Sequence, residues 1–127
     1  MNISYPDDRL YHAEHLWAKI EPDGTMLVGI TDYAQNQLGG VIFVDLPAKG
    51  DTFKQGASCA SIESVKVTSD ACIPISGVVV KVNEELIEHP ELLNEDPYGK
   101  GWIVSIKPDD IHEKGLLSAA EYAKRVE

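Results

Sequence analysis

The stretch Ile62-Glu63-Ser64-Val65-Lys66-Val67-Thr68-Ser69-Asp70 decides how this chain is read. It joins two strand-like runs, Ser58 to Ser64 and Val67 to Ile73, and leaves only Val65-Lys66 to turn on. The reading is a tight hairpin with a lysine at its tip. A valine on each side of that lysine is unlike an ordinary solvent turn, and a modifying enzyme has something to recognise there. Lysines on turns are common, however. Local spacing alone therefore leaves two readings open: a solvated turn residue, or an amine presented on rigid strands for modification.

Working outward, the same short-strand pattern recurs. Leu10 to Ile20 reads as one extended segment, with Leu16, Ala18 and Ile20 alternating against Trp17 and Lys19. Pro22-Asp23-Gly24 is a turn signal, and Met26 to Ile30 returns as its hairpin partner. Thr31 to Leu38 reads as a short helix, with Thr31 as N-cap, Asp32 in the first turn and Gly39 just past the end. Val41 to Leu46 is a strand closed by Pro47. Gly77 to Asn83 and Trp102 to Ile106 are two more. Between them, Asn83 to Asn94 holds Pro90 and supports at most a short broken helix. Asp110 to Val126 reads as a C-terminal helix with an interruption at Gly115, and Ser118 with Glu121 forms a capping box for its last piece. Many short strands separated by turns argue for a mainly β sandwich or barrel. Residues 1–127 read as one domain, long enough to form a core without staples.

Charge narrows the function classes. There are 11 Lys plus Arg against 21 Asp plus Glu, a net charge of −10. Nucleic acid and anionic membrane surfaces are poor partners for such a chain, whereas basic docking surfaces suit it. No apolar run approaches transmembrane length, and Met1 to Leu10 lacks the apolar core and basic start of a secretory signal. Cys59 and Cys72 form no CxxC pattern, so two free, partly buried thiols in a reducing compartment are expected. The expected location is cytoplasmic.

The segments Tyr11-His12-Ala13-Glu14-His15-Leu16-Trp17, Gly29-Ile30-Thr31-Asp32-Tyr33-Ala34-Gln35, Val44-Asp45-Leu46-Pro47, Glu63-Ser64-Val65-Lys66, Ser69-Asp70 and Pro74-Ile75-Ser76-Gly77 occur in one order along the chain. Asn94-Glu95-Asp96-Pro97-Tyr98, Gly101-Trp102 and Ile106-Lys107-Pro108 continue it. Together they resemble the glycine cleavage system H proteins, a family of lipoyl carriers, from about Leu10 to about Tyr122. The resemblance implies a barrel-sandwich hybrid of the lipoyl/biotinyl-carrier type, with the lysine at the hairpin tip, the helix near 31–38 and a C-terminal helix. It implies lipoic acid in amide linkage on Lys66. It also implies that Glu63, three residues before that lysine, and Gly77, eleven after it, mark the hairpin for the lipoylating enzyme. Biotin carriers set their lysine between two methionines, so Val65 and Val67 disfavour biotin.

The family's implied role is non-catalytic. The arm takes the aminomethyl group left when a pyridoxal-phosphate enzyme, glycine decarboxylase, acts on glycine. It presents that group to a folate-dependent aminomethyltransferase and is then reoxidised by the flavin enzyme dihydrolipoyl dehydrogenase. Tethering keeps the group at high effective concentration near each partner. The loaded arm is expected to fold into a cleft where water is excluded and a carboxylate meets the amine. The family motif there is Glu-His-Glu-Trp, whereas this chain reads Glu14-His15-Leu16-Trp17. If positions 14 and 16 share a strand face, Glu14, with Asp70 across the arm, partly replaces the carboxylate missing at Leu16; the other reading is that Glu14 is a solvated strand carboxylate. A second departure is Gly40, where the family commonly carries Asp or Glu. The resemblance implies that His15 is a structural or cleft-lining residue. On one strand, His12 and His15 would face opposite sides, so a shared metal is not expected. Two other roles remain to be weighed. One is a relay that passes lipoate on to other lipoyl domains. The other is a Schiff-base lysine enzyme, which would need Lys66 buried.

Overall fold

A computed structural model describes residues 5–126; residues 1–4, part of the segment read for a signal, and residue 127 lie outside it. The strands are β1 (Leu10–His12), β2 (Leu16–Ile20), β3 (Met26–Ile30), β4 (Val41–Asp45), β5 (Thr52–Phe53), β6 (Ser58–Ser64), β7 (Thr68–Cys72), β8 (Gly77–Val82) and β9 (Val104–Pro108). The helices are α1 (Asp32–Leu38), α2 (Glu85–Glu88), α3 (Leu92–Glu95) and α4 (Ala119–Val126). Every strand pair is antiparallel. One sheet has six strands in the order β1-β2-β3-β9-β8-β5, and the other three in the order β4-β6-β7.

The main core lies between the inner faces of these sheets. Leu16, Ala18, Val28, Val79 and Ile106 come from the larger sheet, and Val44, Ala60, Ile62 and Ala71 from the smaller. The aliphatic composition of this core follows from the scarcity of aromatic residues. A second cluster sits behind β2. Trp17 points away from the main core and packs with Tyr11, Ala119 and Tyr122. The Tyr11 and Tyr122 rings stack at 5.0 Å between centroids. Both faces of β2 are therefore covered, and Ile20 is the exposed residue of the strand.

Three sequence expectations need correction. Leu10 to Ile20 is not one strand. A turn at Ala13-Glu14-His15 folds β1 onto β2 in the register His12↔Leu16. No Gly or Pro announces this turn, because it is made by His15 itself at φ 74. Glu14 and Leu16 therefore do not share a strand face, and His12 and His15 are not opposite faces of one strand. The C-terminal helix is only Ala119–Val126. Before it, Leu117 exchanges backbone hydrogen bonds with Tyr11, and Glu113 accepts from the Ser76 N–H and hydroxyl, which holds the chain out of helix. The strand read at Trp102 to Ile106 runs instead over Val104–Pro108, paired with β3 and β8, while β5 carried too short a pattern to be read. The capping box is present: Ser118 N–H donates to Glu121, and Glu121 N–H donates to the Ser118 hydroxyl.

Candidate functional site

The hairpin of β6 and β7 closes as tightly as its sequence implies. Ser64 N–H donates to the Val67 carbonyl at 2.8 Å, so only Val65 and Lys66 lie in the loop. The Ser64 hydroxyl oxygen accepts from both Lys66 N–H and Val67 N–H, which fixes the loop from within. Lys66 is exposed, flanked by Val65 at 70% and Val67 at 52% exposure.

The tip does not stand clear of the body. Val65 N–H donates to the Gly40 carbonyl at 3.0 Å, and the Lys66 side chain runs along Gly39. Gly39 ends α1 at φ 74 and ψ −157, a conformation essentially reserved for glycine. A Cβ built there would lie 3.0 Å from Lys66 Cε. Gly39 and Gly40, directly after α1, thus seat the hairpin tip, Gly40 through its backbone carbonyl.

Beside the tip lies a cleft of about 360 Å³ between the edge of β7, α1 and the turn before β2. Glu14, His15, Leu16 and Asp70 all line it, so the four residues read as cleft residues are brought together. Val67, the residue after the lysine, lines it too. Ile30, Ala34, Leu38 and Ile62 form an apolar wall, and Leu16, 1% exposed, belongs to the same core. Tyr33 and Gln37 of α1 are lining residues that the sequence reading did not single out; their helical spacing on the outer side of the Ala34–Leu38 edge was the available signal.

The polar end is held firmly. Glu14 N–H donates to His12 Nδ1. His15 N–H donates to the His12 carbonyl, and the His15 carbonyl accepts from Thr31 N–H. Burial lowers the pKa of both His12 and His15, with Glu14 acting in the opposite sense on each. Cys72, on β7 two residues past Asp70, has its thiol pushed up by burial and by Glu14 and Asp70, so it is a poor nucleophile near the cleft.

Glu63 lies on the exposed face of the smaller sheet, opposite Phe43 and Thr68. Gly77 is buried in the larger sheet, opposite Phe53 and Pro108. A Cβ there would collide with the Lys107 carbonyl and lie 2.9 Å from Pro108 Cα, so the close strand approach itself requires glycine. Among the described residues, no group of three or more His, Cys, Asp or Glu is placed to hold a metal.

The glycine cleavage H-protein family model matches residues 9–127. The chain belongs to that family. A glycine cleavage system H protein of Halothermothrix orenii is 47% identical, over 100% of this chain and 98% of that protein. One from Listeria monocytogenes serotype 4a is 49% identical over 96% and 98%. The crystal structure of a Mycobacterium marinum glycine cleavage system H protein superposes with a TM-score of 0.88 at 43% identity, covering 95% of this chain and 98% of that one. The resemblance drawn from the ordered segments and the barrel-sandwich fold both hold. The chain is a lipoyl-carrier component of glycine cleavage, not one of its catalysts.

Proposed function

We propose that Lys66 is the lipoyl attachment site, and that the cleft lined by Glu14, His15, Leu16 and Asp70 receives the loaded arm. The observation that carries this is the adjacency of an exposed lysine on a two-residue loop to a cleft with an apolar wall and a carboxylate-bearing end. The residues fit the group. The aliphatic part of an arm has Ile30, Ala34, Leu38 and Val67 to lie on, and a terminal amine has Glu14 and Asp70 to meet. When bound, lipoate supplies a dithiolane whose sulfur takes up the aminomethyl group and whose dithiol is later reoxidised.

The chain's own residues present, orient and shield. The Ser64 hydroxyl and Gly40 hold the tip, and the glycine at 39 leaves room for the Lys66 stem. Leu16 makes the cleft floor apolar and excludes water. With no carboxylate at position 16, Glu14 and Asp70 supply the negative charge; Glu14 does so from a turn rather than from a shared strand face. The exposed Val65 and Val67 offer apolar contact to whichever enzyme reaches the amine. Glu63 and Gly77 are the features read by the lipoylating enzyme, Glu63 directly and Gly77 by keeping the fold.

The partners are glycine decarboxylase, the aminomethyltransferase, dihydrolipoyl dehydrogenase and a lipoylating enzyme, and the site of action is the cytoplasm. No described helix is long and apolar enough to cross a membrane. A Schiff-base enzyme is disfavoured, because exposed Lys66 has no desolvated pocket. The relay reading draws its support from Leu16, since a relay does not need to protect an amine. Glycine–bicarbonate exchange separates the two. The lipoylated chain, added to glycine decarboxylase, supports exchange if it is a carrier. A lipoylated chain that supports none, yet passes lipoate to a second lipoyl domain, is a relay.

A further inference from the structure

His15 is held from several sides in a conformation that non-glycine residues seldom adopt. Its backbone is fixed by His12 and Thr31, and its ring Nδ1 lies 2.7 Å from the hydroxyl of Tyr122, on α4. That hydroxyl lies 2.8 Å from Thr31 Oγ1. Thr31 Oγ1 in turn accepts from Ala34 N–H as the N-cap of α1. These bonds form one chain: α1 N-cap, Tyr122, His15, cleft.

The direction of the chain follows from counting donors. Thr31 is 0% exposed, so its hydroxyl hydrogen needs a protein acceptor. Among the described residues, the Tyr122 oxygen is the acceptor it has. Tyr122 therefore accepts from Thr31 and gives its own hydrogen to His15 Nδ1. With Nδ1 protonated, either the Thr31 hydrogen or that of Tyr122, also 0% exposed, would be left buried without an acceptor.

We infer that Tyr122 is a positioning residue that holds His15 as the neutral Nε2–H tautomer, leaving that N–H as a fixed donor for the arm cleft. The functional side of this inference rests on the cleft reading above. A neutral His15 leaves Glu14 and Asp70 as the charges lining the cleft, both negative, which suits a cationic aminomethyl end. A protonated His15 would cancel one of them. The groups facing His15 are His12 of β1, Glu14 of the turn, Tyr33 of α1 at 4.8 Å between rings, and Tyr122 of α4. Burial, the leading influence on the imidazole, and His12 favour the neutral form, while Glu14 opposes it. The C-terminal helix thereby acts on the cleft without lining it.

Long-range proton–nitrogen NMR on the nitrogen-labelled intact chain reads the tautomer directly. The expected spectrum near neutral pH shows His15 protonated on Nε2 and bare on Nδ1. Tyr122→Phe keeps the ring that stacks on Tyr11 but removes the donor. It is expected to give a mixture of tautomers and an upward shift of the His15 titration midpoint. Thr31→Ser keeps the hydroxyl and should match the parent. Should Tyr122→Phe fail to fold, Thr31→Val removes the hydrogen that sets the direction and should also give the mixture. A parent protonated on Nδ1, or a tautomer unchanged in folded Tyr122→Phe, overturns the inference. A changed tautomer with an unchanged lifetime of the aminomethyl-loaded arm overturns its link to the cleft alone.

Discussion

Lys66 and the residues that seat it set the first expectations. Gly39→Ala puts a Cβ at a φ and ψ that only glycine adopts readily, so a stability loss of about 1–3 kcal/mol is expected in urea titration. The clash itself is with the flexible end of Lys66, which can swing aside, so modification of the lysine should survive. In the cleft, Glu14→Gln is expected to shorten the lifetime of the aminomethyl-loaded arm about fivefold, the loss of a ~1 kcal/mol charge pairing near the surface. An unchanged lifetime would make Glu14 an ordinary solvated carboxylate. At this scale the sequence was informative wherever residues stand together along the chain. The Glu14-His15-Leu16 run was singled out this way, and the structure brings it together with Asp70 at one cleft. Tyr122 was not, because its partners His15 and Thr31 lie 107 and 91 residues away and no local pattern joins them.

Elements were legible where Gly, Pro or a cap punctuates them. The β2–β3 hairpin and α1 with its Thr31 cap carry such marks, whereas the β6–β7 hairpin, turning on Val65-Lys66, was legible from the strand-like runs on either side. The β1–β2 turn does not, since a histidine at positive φ makes it, and the segment before α4 looked helical because its interactions with Tyr11 and Ser76 are long-range. Helix α4 depends on its cap: Ser118→Ala removes the bond to Glu121 N–H and should cost about 1 kcal/mol in urea titration. Strand β8 depends on Gly77. Gly77→Ala meets backbone atoms that cannot swing away, so a loss of about 1–3 kcal/mol is expected, with lipoylation falling only as the folded fraction falls. If lipoylation collapses while the fold remains intact, Gly77 is read directly by the enzyme instead.

For the molecule as a whole, buried titratable groups set the pH range of stability. His12 and His15 have pKa values held below their ordinary 6.5, so the unfolded chain takes up protons there that the folded chain refuses. Stability is therefore expected to fall as pH drops below about 6.5. On the alkaline side, the Cys59 thiol is pushed up to about 12 from 9.0 by burial, and Tyr11, Tyr98 and Tyr122 are raised above 10.0 mainly by burial. These groups favour the folded state below their unfolded pKa values and lose that contribution as pH rises past 9 and 10. Urea midpoints measured across pH should form a plateau between the two flanks. The net charge of −10 and the two sheets were readable in outline from composition and strand pattern, but the seating of the hairpin tip on Gly39 and Gly40 was not, because it joins segments that the sequence keeps apart. That seat presents Lys66 to solvent beside its cleft, and the most direct test of the account is intact-mass analysis with peptide mapping after incubation with a lipoylating enzyme and lipoate. One lipoyl group on Lys66, absent from Lys66→Arg, is the predicted result; an unmodified chain, or a group on another lysine, would contradict it.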